Sequence, residues 1–147
     1  MGILRIALAY LAAAAATYVA SSIFYTQQIL AKQAEIGAVY TASQQAATYF
    51  ANLTGLGLLG AMFAIGLAIA FVIAAILKRV LKPLAPIAYP LAGAAAVWTV
   101  IYLIETVMAP GGVGAIGGAR GVSGMALQAL AGAIGGFVFA ALLPRKA

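Results

Sequence analysis

The chain has 147 residues, of which 66% are hydrophobic and only 7% are charged, and its formal net charge is +6. A soluble domain carries about 25% charged residues, so this composition excludes an ordinary soluble fold and predicts an integral membrane protein. The chain has no His, no Cys, no Asp and only two Glu, which leaves no disulfide, no thiolate nucleophile and no His-based metal site. We therefore expect no enzymatic activity, no metal and no cofactor. We interpret the positive charge as a topology signal and not as a nucleic-acid surface.

Four apolar stretches are long enough to cross a bilayer, which takes about 20 helical residues. They cover residues 6–25, 53–77, 84–108 and 122–143. Backbone groups in lipid must find hydrogen bonds within the chain, so each stretch is predicted to be a helix. The expected fold is all-α, with one four-helix transmembrane bundle as a single domain over residues 1–147. The first stretch also has features of a secretory signal, but its apolar part is longer than usual, and we interpret it as a retained helix.

The basic residues are sorted by side, which predicts the orientation of the bundle. Six of them fall on one side of the four spans and two on the other. The first group is Arg5, Lys78, Arg79, Lys82, Arg145 and Lys146, and the second is Lys32 and Arg120. Because positively charged loops stay in the cytoplasm, both termini are predicted to be cytoplasmic. The alanine-rich composition and the loop charges favour a bacterial inner membrane.

The first span carries a polar stripe on one helical face. Its members are Tyr18, Ser21, Ser22, Tyr25, Gln28 and Lys32. The stripe could line a wet crevice together with Glu105. We prefer hydrogen bonding between helices, because Ser and Gln commonly join membrane helices in this way.

Residues 26–52 form an outer connector that is more polar than the spans. Polar residues from Thr41 to Asn52 share one helical face, and Val39, Phe50 and Leu53 lie on another. With Gly37 as the obvious break, the spacing predicts an amphipathic helical hairpin that extends on the outer side. The hairpin is either a docking surface for a partner or a connector that packs on its own bundle or lies in the membrane interface.

Small residues recur every four positions in two spans and predict close helix packing. In the second span they include Gly60 and Ala64, and in the fourth span the stripe is Gly124, Gln128, Gly132 and Gly136. Glycine lets helix backbones approach and gain dispersion contacts, either inside the bundle or between two copies of the chain. A buried Gln128 would need a partner such as a backbone carbonyl or a Gln of a second copy.

The third span begins in a proline-rich segment and ends near the only acid within or beside a span. We expect the helix to start at Pro83 and bend near Pro90, or to start at Pro90. Glu105 shares a face with Trp98, Ile101 and Tyr102. An intramembrane carboxylate is a functional candidate by default. Glu105 could instead reach interfacial water or pair with Arg120 or Lys32, and its shallow depth favours this second interpretation.

Residues 109–121 form a glycine-rich outer loop that includes Arg120. It contains a formal G-x-G-x-x-G, but a dinucleotide site needs a preceding strand, which a membrane helix does not supply. We interpret the segment as a flexible loop. Two alternatives are an anion- or headgroup-binding loop beside Arg120 and a re-entrant segment.

These patterns favour a non-catalytic membrane protein that works through helix association, as an accessory or assembly subunit or as a homo-oligomeric scaffold. Its expected partners are membrane lipids and either another protein or a second copy, joined through small-residue helix faces. The alternative is a small transporter or channel that uses Glu105, Tyr102 and Trp98 with the polar stripe. A weaker alternative is a site for a lipid, quinone or pigment between the helices.

Overall fold

The structure, a computed structural model, describes residues 2–108, 116–119 and 121–143. These residues form helices and no strand. The α-helices are α1 (Gly2–Glu35), α2 (Ala42–Gly55), α3 (Gly57–Val80), α4 (Ala88–Leu103) and α5 (Gly121–Leu142). Among them α1, α3, α5 and α4 with its π-helical extension to Met108 are long and apolar enough to cross a membrane. The predicted all-α fold with four apolar helices is therefore confirmed.

Neighbouring helices of the bundle run antiparallel. Contacts follow the order α3, α4, α5, α1, and α1 returns to α3 through a smaller contact. The direction is visible in the pairs, because Gly93 of α4 meets Gly132 of α5 whereas Tyr89 meets Gly136. In the same way Tyr10 of α1 contacts Ala64 of α3 whereas Tyr18 contacts Gly60, so α1 and α3 also run antiparallel. α5 consequently has α4 on one side and α1 on the other.

One end of the bundle gathers both aromatic packing and positive charge. Phe71, Tyr89 and Phe139 pack together there, with ring centroids 4.5–5.7 Å apart. Four cations belong to this end, which we call the basic end, and they are Arg5, Lys78, Arg79 and Lys82. Arg145 and Lys146, which the sequence assigns to the same side, lie outside the described residues.

Two helix boundaries differ from the sequence prediction. Residues 53–55 complete α2, and the helix breaks at Leu56 (φ −89°, ψ 22°) before α3 begins at Gly57. Glycines on both sides of Leu56 disfavour a continuous helix there. α4 begins at Ala88, after a separate 3₁₀ turn at Lys82–Leu84. Pro90 therefore lies in the first turn of α4, where its missing N–H is not needed.

α2 folds back beside the end of α1. The turn between them includes Gly37, whose φ of 85° favours glycine. Thr41 and Gln44 then form a capping box that starts α2, and Asn52 donates a 3.0 Å hydrogen bond to the hydroxyl of Thr26. No residue of α2 is fully buried.

Candidate functional site

One candidate site is an apolar groove between α3 and α4 with a volume of about 670 Å³. This volume lies in the range of small-molecule sites. Its lining is Met62, Ile65, Gly66, Ile69, Ala70, Ile73, Ala74, Leu77, Lys78, Leu81, Leu84, Ala88, Leu91, Ala92, Ala95, Ala96, Thr99, Val100 and Leu103. Lys78 and Thr99 are the only residues in that set with polar side chains, so the groove suits a hydrocarbon ligand with one polar end.

Side-chain size explains why the groove is open. α3 contributes Ile65, Ile69 and Ile73, which are exposed on its rim. α4 faces them with a run of alanines that includes Ala92 and Ala95. Because alanine does not fill the space between the two helix surfaces, the two helices leave a trough along most of their length.

Lys78 marks the basic end of the groove. Its ammonium donates a 3.0 Å hydrogen bond to the hydroxyl of Tyr89 and lies 4.6 Å from the centroid of the same ring. The Tyr89 ring is itself fixed by Phe71 and Phe139. The cation is thus held in place at the groove, whereas Arg79 and Lys82 are exposed close by.

The predicted small residues of α5 lie against other helices of the same chain. A Cβ built on Gly132 would lie 2.1 Å from the carbonyl oxygen of Gly93, and one on Gly136 would lie 2.1 Å from that of Tyr89. Gly124 packs on the backbone of Gly118 and Ala119 in the same way. α4 and α5 therefore touch through their backbones. We call this region, which contains Gly93 of α4 and Gly132 and Gly136 of α5, the glycine contact.

Two glycines that the sequence analysis did not single out complete this packing. Gly93 is the α4 partner of Gly132, and Gly135 lies against Thr17 of α1. Gly93 has no small residue at the next four-residue positions of α4, Tyr89 and Val97, so periodicity gave no signal for it. Thr17 is fully buried, and its hydroxyl has no hydrogen-bond partner among the described residues.

Gln128 finds its partner inside the chain. Its side-chain oxygen accepts a hydrogen bond from the hydroxyl of Ser21, and its amide donates to the carbonyl oxygen of Ser21 at 3.2 Å. Both residues are buried between α1 and α5. The predicted need of Gln128 for a partner is thus met by a backbone carbonyl and a hydroxyl.

Within the polar stripe of α1, Tyr18, Ser21 and Tyr25 contact other helices, whereas the bond of Ser22 stays within α1. Tyr18 donates a 2.5 Å hydrogen bond to the carbonyl oxygen of Leu53, and its ring packs on Gly60. Buried Ser22 accepts a hydrogen bond from Thr26 through its carbonyl oxygen, and Tyr25 packs on Gly118. Gln28 is half-buried. Ala64 takes part through its backbone, since its carbonyl oxygen accepts a 2.5 Å hydrogen bond from Tyr10.

Glu105 and its predicted neighbours lie elsewhere. Trp98 and Tyr102 are 46% and 57% exposed on α4, and α4 scarcely touches α1. Glu105 is half-buried in the π-helical turn Ile104–Met108, and no hydrogen bond or ion pair joins it to another described residue. Among the described residues, no hydrogen bond or ion pair joins Glu105 to the α1 stripe, although Tyr25 of the stripe packs on the apolar cluster that includes Ile101 and Ile104. Arg120 and residues 109–115 of the glycine-rich loop lie outside the described residues.

No known protein family matches the chain, and neither a curated protein nor a solved structure is significantly similar to it.

Proposed function

We propose that this chain is a non-catalytic membrane protein that acts by binding another membrane protein, as an accessory or assembly subunit or as a scaffold. In this proposal both termini are cytoplasmic, and α2 with the end of α1 forms a hairpin on the outer side of a bacterial inner membrane. The sorted charges of the sequence support this orientation.

The exposed state of α2 is the observation that carries the proposal. Its start is fixed by the Thr41–Gln44 capping box, yet none of its residues is fully buried. Phe50 on α2 is 70% exposed, and Val39 in the preceding turn is 92% exposed. Apolar groups that the fold does not bury mark surfaces for other molecules when they are grouped, and a helix with an apolar face is a common form of docking element.

Site-specific photocrosslinking tests this assignment. A photoreactive amino acid at Phe50 is expected to crosslink one defined protein in the native membrane. The matched control is Gln45, which is also exposed on α2 but points about 140° away around the helix. Crosslinks to lipid alone at Phe50, or equal protein crosslinks at both positions, would reject a docking face on α2.

A second experiment separates a lost partner from a lost fold. Phe50→Ser removes the apolar side chain without changing a buried residue, so the thermal stability of the isolated protein is expected to stay the same. Co-purification of the partner that the crosslinking identified is expected to fall severalfold. If the partner is still recovered at the level of the unchanged chain, association does not depend on α2.

The orientation can be tested separately because the chain has no cysteine. Ser43→Cys places a single thiol on exposed α2, and Lys82→Cys places one at the basic end. An impermeant maleimide added to intact spheroplasts is expected to label the first variant and not the second. The reverse pattern would invert the proposed topology.

A further inference from the structure

We propose that the α3–α4 groove binds an anionic phospholipid, with an acyl chain along the trough and the phosphate at the ammonium of Lys78. This inference is independent of α2 and of the protein partner proposed above. It rests on the shape of the groove, its polarity and the position of its cation.

The shape and polarity fit an acyl chain. The groove extends along α3 from Met62 to Lys78, a rise of about 24 Å at 1.5 Å per residue. Nearly all of its lining is aliphatic. It opens between two helices that are each apolar enough to face lipid, so a chain can enter sideways from the bilayer. Filling the trough gives its alanine floor the dispersion contacts that it otherwise lacks.

The charge distribution fits a phosphate at one end. Lys78 lines the groove and is held by Tyr89, which leaves further N–H groups of its ammonium free to donate to an anion. Arg79 and Lys82 add positive charge nearby. The two acidic side chains of the chain are Glu35, at the end of α1, and Glu105, at the end of α4. Neither lies at the basic end, so no carboxylate side chain neutralises these cations.

A helix fits the groove less well than a lipid does. An apolar partner helix would cover Lys78 without supplying an anion, and burial of an unpaired charge is costly. A second copy related by a two-fold axis along the membrane normal would bring the basic ends of both chains to the same side. Their cations would then repel each other. A phospholipid supplies both the hydrocarbon and the negative charge.

Lipid retention measured by native mass spectrometry tests the proposal. The intact protein is reconstituted in nanodiscs of phosphatidylcholine with a minor share of phosphatidylglycerol, and bound lipid is counted after release. We expect one retained phosphatidylglycerol per chain. Lys78→Gln is expected to weaken its retention about tenfold, which is the effect of losing one charge-assisted hydrogen bond. Arg79→Gln, which removes the same charge outside the groove lining, is expected to change retention less than twofold.

A second test fills the groove without changing any charged residue. Ala95→Phe puts a ring into the trough, and Ala126→Phe puts the same ring on an exposed site of α5. We expect the first variant to lose the retained lipid and the second to keep it. Because Lys78 also contacts Tyr89, thermal unfolding of each variant is followed, and Ala95→Phe decides the result if Lys78→Gln does not fold.

Several results would overturn the proposal. Equal losses for Lys78→Gln and Arg79→Gln would mean diffuse attraction to the basic end. Equal retention of phosphatidylcholine and phosphatidylglycerol would remove the role of the phosphate contact. Retention unchanged by Ala95→Phe, or a stable dimer that Ala95→Phe dissociates, would assign the groove to another occupant or to none.

Discussion

The α4–α5 contact and the α1–α3 contact join neighbouring helices in opposite ways. At the first, Gly132 and Gly93 bring two backbones together, and a Cβ on either would lie 2.1 Å from the opposing carbonyl oxygen. At the second, tyrosines of α1 reach across to α3. Tyr10 donates a 2.5 Å hydrogen bond to the carbonyl oxygen of Ala64 in α3. Tyr18 packs its ring on Gly60 of α3 and donates a 2.5 Å hydrogen bond to the carbonyl oxygen of Leu53, near the end of α2.

The difference shows two ways to hold apolar, membrane-length helices together when none of the described charged residues is fully buried. The hydrophobic effect does not draw apolar helices together in lipid, so packing and hydrogen bonds must do so. Backbones in contact allow no added volume, because a helix backbone cannot move without moving the whole helix. A contact made through side chains has rotatable bonds and can adjust. The two contacts should therefore respond very differently to the same small substitution.

The largest effect is expected for Gly132→Ala. The added methyl group would push α5 away from α4 along the glycine contact, and the free energy of unfolding should fall by about 3 kcal/mol. Thermal or denaturant unfolding in detergent measures the change. Gly57→Ala is the matched control, since nothing lies within 4 Å of its Cβ position, and it should stabilise α3 by about 0.5–1 kcal/mol through helix propensity. Similar losses for both variants would show that α4 and α5 are not in backbone contact.

The next largest loss of stability is expected for the hydrogen-bonded pair of Ser21 and Gln128, which joins α1 to α5. Gln128→Leu removes both hydrogen bonds to Ser21 at similar volume, and we expect a loss of about 1–2 kcal/mol. Ser21→Ala and the double variant complete a double-mutant cycle, with Ser123→Ala as an exposed control near zero. A coupling energy of zero between positions 21 and 128 would contradict the contact.

Gly60→Ala makes the same substitution at the α1–α3 contact, where Gly60 lies against a side chain and not against a backbone. The added Cβ would lie 2.7 Å from the ring of Tyr18, but this ring can rotate or shift whereas a carbonyl cannot. We expect a loss of about 1 kcal/mol, well below that of Gly132→Ala in the same unfolding measurement. A loss as large as that of Gly132→Ala would remove the distinction between the two kinds of contact.

The smallest effect is expected for Tyr10→Phe and Tyr18→Phe, each of which removes one hydroxyl and leaves the ring. Each should lower the free energy of unfolding by about 0.5–1 kcal/mol. Tyr102→Phe is the control, because Tyr102 is exposed and its hydroxyl makes no hydrogen bond with a described residue. If all three variants unfold alike, the two hydroxyls do not contribute to the contacts of α1 with α2 and α3.

Hydropathy and local periodicity predicted the parts of this fold that depend on one helix at a time. The four apolar helices follow from the length of the apolar stretches, and the close packing of Gly132 and Gly136 follows from their spacing. The break at Leu56 was missed because residues 53–77 contain no charged residue and, apart from Thr54, only apolar residues and glycine. Hydropathy responds to lipid exposure and not to a local loss of helical geometry.

The features that depend on how two helices pack against each other could not be predicted from the sequence alone. Nothing in the sequence of α4 indicates that Gly93 faces Gly132. The groove is also invisible in the sequence, since it needs the isoleucines of α3 to face the alanines of α4 across a gap. Lys78 was therefore interpreted only as a topology signal, although the structure places it at the end of that groove.

The central position of α5 has a consequence for biogenesis. α1 and α4 scarcely touch each other, and each makes its most extensive contact with α5, which follows both of them in the chain. Because synthesis proceeds from the N-terminus, the earlier helices are complete before α5 is available. Until it arrives, Ser21 and Gly93 lack the partners that bury them. A nascent chain interrupted before α5 would keep the α3–α4 contact and the smaller α1–α3 contact, but it would lack the α4–α5 and α1–α5 contacts, which are the two most extensive in the fold.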